Sequence, residues 1–178
     1  MEGVIVIDML VDFVCGKLAT GRESAVVGPI AALLAAARKA ERPVVYVGDA
    51  HLSHDPELRV WGEHAMKGSE GCRVIPDLAP QTGDYLLEKR TYSAFFETGL
   101  DSLLRSLGVE TAILTGLHTH LCIRHSAADA FFRGYRIVVP IDCVTAFTEV
   151  EQGSGLEDVH RHYGAELVTS SDLARRLA

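Results

Sequence analysis

The chain alternates between two kinds of apolar spacing. Continuous β-branched runs occur at 3–9 (GVIVIDM), 43–48 (PVVYVG), 111–117 (TAILTGL) and 135–141 (YRIVVPI), with weaker ones at 84–90 (DYLLEKR) and 165–170 (AELVTS). Between them apolar residues recur at helical intervals. Over 23–41 they fall at 26, 27, 30, 33, 34 and 37, which predicts a helix with Pro29 in or near its first turns. Further helices are predicted over 95–108 and 122–134, each stopped by a glycine, over 151–163, and over the closing SDLARRLA. Apolar strands that alternate with helices predict an α/β fold: a three-layer αβα sandwich, Rossmann-like, with a six-stranded, mostly parallel sheet covered on both faces. Neither a repeat nor a linker interrupts the pattern, so residues 1–178 are read as one domain. The stretch 49–83 has no clear period, and loops of that length are usually functional.

Composition narrows the class. The 178 residues are 48% hydrophobic and 23% charged, enough to build a core without disulfides. The formal charge of −7 argues against a nucleic-acid surface, which needs a basic stripe. No apolar run reaches the ~18–20 residues of a membrane helix. The start, MEGVIVIDML, enters a strand-like run without a basic region or cleavage site, so a cytoplasmic protein with a small-molecule partner is expected. Four cysteines (15, 72, 122 and 143) show no C-x-x-C pairing, which excludes a zinc ribbon and a disulfide framework. Cys15, Cys72 and Cys143 read as packing residues.

In parallel sheets ligands bind beyond the carboxyl ends of the strands. The first strand ends in Asp8, the second in Asp49-x-His51, the third in Lys89, and the fourth runs through GLHTHLC to Cys122. Cys122 opens a predicted helix, where unpaired N–H groups favour an anion and a thiolate is expected. Asp8 could carry protons, and the turn at 116–122 could offer N–H groups to an oxyanion. Each residue also has an ordinary reading: a turn-forming Asp, a buried Cys, a solvated Lys. Their shared rim singles them out.

VIVIDMLVDF, EKRTYSAFFETGLDSLL and LTGLHTHLCIRHSAADAFFRGYRIVVPIDCV resemble the isochorismatase-like cysteine hydrolases, which include nicotinamidases and N-carbamoylsarcosine amidases. The resemblance spans nearly the whole chain. It implies a catalytic triad of Asp8, Lys89 and Cys122. It also implies an oxyanion hole from the backbone of His118 and Cys122, with a cis bond at Leu117–His118. The family often carries a small residue at 118 and an acidic one at 120. Histidine at both positions alters the rim and bears on substrate choice or subunit contacts. His125 reads as structural or interfacial.

The same resemblance implies metal ligands at Asp49, His51 and His64, with His54 a further candidate. One oxygen and two imidazoles suit zinc, and iron or manganese after it. Without the resemblance, DAHLSHDPELRVWGEH reads as a solvated polar loop. Phe13, Trp61, Tyr92 and Phe95 are candidates for an apolar pocket wall, with core packing the ordinary alternative. The resulting expectation is a metal-containing amidohydrolase that forms a thioester on Cys122. Nicotinamide is the first substrate, N-carbamoylsarcosine or another ureido compound the second, and isochorismate a more distant one. A homo-oligomer, dimer or tetramer, is expected. The contrasting expectation is a metal-bearing binding protein that kept the fold and lost catalysis.

Overall fold

The computed structural model describes residues 1–177. The last residue of the expected C-terminal helix, Ala178, lies outside them. Seven strands are found among the described residues: β1 (Glu2–Ile7), β2 (Val44–Asp49), β3 (Tyr85–Lys89), β4 (Thr111–Leu117), β5 (Arg136–Pro140), β6 (Val144–Thr145) and β7 (Glu166–Val168). They form one sheet in the order β3-β2-β1-β4-β5-β7, with two-residue β6 paired to the upper end of β4. Every pairing is parallel. The helices are α1 (Val11–Val14), α2 (Val27–Lys39), α3 (Leu58–Trp61), α4 (Leu100–Ser106), α5 (Arg124–Phe132), α6 (Glu149–Tyr163) and α7 (Ser170–Leu177). None is long and apolar enough to cross a membrane.

Strand alternation divides the core into two layers, because successive side chains point to opposite faces. Val4, Val6, Val44, Tyr46 and Ile113 pack with Ile30, Leu33, Leu34 and Ala37 of α2 and Leu173 and Leu177 of α7. Ile5, Ile7, Val45, Val47, Ala112 and Leu114 pack on the other face with Leu100 and Leu104 of α4, Ala127 and Ala130 of α5, and Val159 of α6. This is the expected three-layer sandwich, with short β6 as the strand that apolar pattern alone did not mark.

Several boundaries differ for identifiable reasons. The helix expected over 95–108 begins only at Leu100. Glu97 has φ 53°, and the Thr98 hydroxyl accepts from the Leu100 N–H, so the chain turns before it winds. The helix expected from 122 is α5 from Arg124, preceded by one π-helical turn over Thr119–Ile123. The helix expected from 151 starts at Glu149, because Thr148 caps it by accepting from the Glu151 N–H. Pro29 sits in the first turn of α2, where its missing N–H costs nothing.

Gly116 sets the spacing of β1 and β4 where the chain prepares to leave the sheet. Its φ is +106°, and a Cβ there would lie 1.9 Å from the Ile7 carbonyl oxygen. Only glycine allows that approach. Gly116→Ala should therefore destabilise the protein by on the order of 3 kcal/mol or more. Urea unfolding measures this, and an unchanged midpoint would show that the β1–β4 contact yields easily.

Candidate active site

The strand order reverses between β1 and β4, and the groups beyond the carboxyl ends of β1 to β4 converge there. Asp8 follows β1 directly, with φ 54° and a buried side chain. Asp49 and Lys89 end β2 and β3 as register partners. Lys89 is completely buried. Its Nζ lies 2.8 Å from Asp8 Oδ2 and 2.6 Å from Asp49 Oδ1, and donates to the Thr91 carbonyl at 3.1 Å. Cys122 Sγ is 3.6 Å away. Asp8 Oδ1 accepts from the Asp49 N–H at 2.9 Å, whereas Oδ2 has no well-aligned hydrogen bond. Beyond β4 the Leu117–His118 bond is cis, and the π turn carries Cys122 back over the sheet. Gly155 of α6 lets that turn seat closely, since a Cβ there would lie 3.1 Å from the His120 backbone.

The electrostatics follow from burial and pairing. Burial opposes the charge on Lys89, but Asp49 and Asp8 hold its pKa well above the ordinary value. Burial and then the Asp49 charge push Asp8 up to about 7, against the pull of Lys89. Asp49 stays below the usual carboxylate range, because Lys89 and His51 outweigh its burial. Burial raises the Cys122 thiol well above its ordinary value, and Asp8 and Asp49 add to this against Lys89. This direction runs against the thiolate expected at a helix N-terminus: burial pushes the thiol up, and Cys122 lies in the π turn before α5 rather than at its first residue.

A second buried group adjoins the first. Asp49, His51, Glu57 and His64 each offer one ligand atom, all within 4.8 Å of one another. Asp49 Oδ2, His51 Nε2 and Glu57 Oε1 are buried without a hydrogen-bond partner. His51 Nδ1 meets Asp55 Oδ2 at 3.1 Å, and His64 Nδ1 meets the Gly62 carbonyl at 2.8 Å. Each Nδ1 therefore donates, and in the neutral ring each Nε2 is left with a lone pair. Arg90 in turn donates to both oxygens of Asp55.

A narrow cleft leads to Cys122. Phe13, Leu18, Trp61, Tyr92, His118, Leu121 and Phe147 line it, with Asp49, Glu57 and His64. The His118 ring packs on Phe147 at 4.2 Å between centroids, and its Nε2 lies 3.3 Å from Oε1 of the buried Glu23. Glu23 also accepts from the Thr20 hydroxyl and from the Thr20 and Gly21 N–H groups. Burial works against its charge, but the bonds from His118 and Thr20 lower its pKa to about 2.

A model of the isochorismatase domain matches residues 2–172. The chain belongs to the isochorismatase family. It is 43% identical to the N-carbamoylsarcosine amidase of Thermoplasma acidophilum, with a TM-score of 0.90 over 95% of this chain and 96% of that one. It is 32% identical to the maleamate amidohydrolase of Pseudomonas putida, over 95% of this chain and 85% of that protein. A nicotinamidase from Bacillus subtilis is 28% identical, with a TM-score of 0.87 over 94% of this chain and 98% of that one. The isochorismatase family comprises hydrolases, among them amidases that act on C–N bonds.

Within this isochorismatase-family fold, Asp8, Lys89 and Cys122 form one buried contact group, and Asp49, His51 and His64 form part of another. His54 is exposed and stands outside the second group; Glu57 takes the fourth place. Phe13, Trp61 and Tyr92 line the cleft. Phe95 does not: its ring is buried in the core against Tyr135, with the Arg133 guanidinium over it. His125 is exposed, bonded to the Leu121 carbonyl and stacked on Tyr92. Sequence reasoning missed Glu57, Glu23 and Phe147. Glu57 stands just before the four-residue α3, inside the stretch 49–83 that has no clear period, so no spacing rule flagged it; only the fold turns it inward.

Lys89→Met would leave Asp8 and Asp49 buried without their shared cation. It should cost about 3–5 kcal/mol, as loss of one partner in a buried ion pair does. Urea unfolding reads the cost, and an unchanged midpoint would mean that the carboxylates are not both ionised in the folded protein.

Proposed function

We propose that the protein is a cysteine-dependent amidohydrolase acting on a small linear amide. The observation that carries this reading is the contact of Lys89 Nζ with Asp8, Asp49 and the Cys122 sulfur in one buried cluster. As Sγ attacks the amide carbonyl, the S–C bond forms and the thiol proton passes to Asp8. An Asp held near pH 7 can accept it and give it up again. The backbone N–H groups of His118 and Cys122 hold the developing oxyanion. Asp8 returns the proton to the departing nitrogen, the C–N bond breaks, and ammonia leaves. Water then attacks the thioester and gives a proton to Asp8, which restores the thiol as the acid departs. Lys89 keeps its charge throughout and orients Asp8.

A divalent cation fits the second group, with zinc first and iron or manganese after it. Two imidazole nitrogens with free lone pairs and two carboxylates, three of these atoms otherwise orphaned, are a suitable donor set. When bound, it would supply a fixed positive charge and open coordination positions beside the cleft. Asp55, held by Arg90, orients His51 in the manner of an outer-shell carboxylate. A cytoplasmic setting keeps Cys122 reduced. The exposed rings of Phe96, Phe131 and Phe132 support an assembly of like subunits.

For the substrate, the likeness to N-carbamoylsarcosine amidase and maleamate amidohydrolase supports a carbamoyl compound or a short monoamide. Nicotinamide is the second reading. The metal group at the cleft favours it, because a pyridine nitrogen could reach an open coordination position.

Cys122→Ala should lower kcat/KM for the best amide in an ammonia-release panel by at least about 10³-fold with the fold intact. Retained turnover would remove the thioester mechanism. Asp55→Ala should weaken metal binding about 10–100-fold. Competition against a chromophoric chelator measures this, and equal affinity in the variant would separate Asp55 from any ligand role of His51.

A further inference from the structure

The Glu23–His118 pair lies outside both buried groups and has no part in the proton transfers above. Glu23 is wholly buried, although it opens the single 3-10 turn, Glu23–Val26, that leads into α2. Its two oxygens receive the Thr20 hydroxyl, the Thr20 and Gly21 N–H groups, and His118 Nε2. Such a carboxylate stays ionised, and its low pKa agrees. It fixes the neighbouring ring with Nε2–H as donor. The other ring nitrogen, Nδ1, has no protein partner among the described residues, and the ring itself lines the cleft that leads to Cys122.

The charges along that cleft make this ring distinctive. Asp49 and Glu57 are acidic, and the Lys89 ammonium behind them is spent on Asp8, Asp49 and the Thr91 carbonyl. The lining groups that can carry positive charge are His64 and His118. His64 belongs to the metal-binding set. His118 is left as the lining side chain that can meet an anion away from the metal group. With both ring nitrogens protonated the ring donates on two sides, to Glu23 at Nε2 and to a substrate carboxylate at Nδ1. The rings of Phe147 and Phe13 flank it, at 4.2 and 5.8 Å between centroids.

We propose that His118, held by Glu23, is the specificity-determining side chain of this site, and that it selects amides bearing a free carboxylate remote from the scissile carbonyl. The class comprises N-carbamoyl amino acids and monoamides of short diacids, in preference to neutral aromatic amides. Glu23 is a positioning residue that acts through the ring. The proposal rests on the amidase reading of the Cys122 cleft.

The test separates binding from turnover. In the full-length Cys122→Ala variant, carrying whatever metal it is purified with, maleamate and N-carbamoylsarcosine are titrated calorimetrically against their methyl esters. Each acid should bind roughly tenfold or more tightly than its ester, the scale of one charge-assisted hydrogen bond. His118→Asn added to that background should bring the acid-to-ester ratio near one. Glu23→Gln, which keeps the shape of the side chain, should lower it in the same direction. A merely structural role would weaken acid and ester alike and leave the ratio in place. Equal binding of acid and ester by the parent, a ratio that survives both substitutions, or binding of neither compound would each overturn the proposal. Turnover by the unsubstituted protein is scored separately. If it hydrolyses amides while the ratio ignores His118, the inference fails and the amidase reading stands. If it hydrolyses none while the ratio depends on His118, the amidase reading fails and the anion-selecting role stands.

Discussion

The site is organised around one desolvated ammonium. Moving such a charge out of water costs several kcal/mol unless it is paired and hydrogen-bonded. Lys89 meets that condition through two carboxylates and a carbonyl, and those partners come from the ends of β1 and β2 and from the chain just beyond β3. The parallel register is therefore an electrostatic requirement as well as a hydrophobic one. β3 illustrates the point. It is an edge strand whose Tyr85 and Leu86 are exposed, with little apolar burial of its own, yet it ends in a fully buried ammonium.

Asp49 joins the two buried groups. Oδ1 accepts from Lys89, while Oδ2 faces the His51, Glu57 and His64 set without a hydrogen bond. A cation held by that set and the ammonium of Lys89 would share one carboxylate. Whatever charge resides on one side therefore tunes the other, and Asp8, which accepts from the Asp49 N–H, feels both. The separation of acid–base work from charge placement is thus incomplete by construction.

Much of this was legible before any coordinates. The strands that carry Asp8, Asp49 and Leu117 are runs of β-branched residues, and burial on both faces is what such runs mean. The sheet rule then places their carboxyl ends together. Lys89 ends a weaker run, and the likeness to known hydrolases, more than its own spacing, marked it. Three features escaped for physical reasons. Glu57 stands just before the four-residue α3 and Glu23 at the edge of the helical pattern over 23–41, where periodicity does not tell an inward carboxylate from a solvated one. The direction of the Cys122 pKa shift is set first by burial, with Asp8 and Asp49 adding to it, and local reasoning from a helix N-terminus could not weigh groups so remote in sequence. Phe95 sits near pocket residues in sequence, but the turn capped by Thr98 sends its ring into the core.

The burial of Cys122, which pushes its thiol pKa up, has a consequence for the protein's chemical durability. Oxidants and electrophiles attack thiolates, at rates that follow thiolate fraction and access. A cysteine that is 4% exposed, with its thiol pKa pushed up by burial, is a poor target for both. Cys15 is exposed, and Cys72 is partly so. Peroxide or a general alkylating agent would meet these sulfurs first, and a fully labelled surface need not report a disabled enzyme. On the proposed reading, reactivity at Cys122 would wait for an acyl group that fits the cleft.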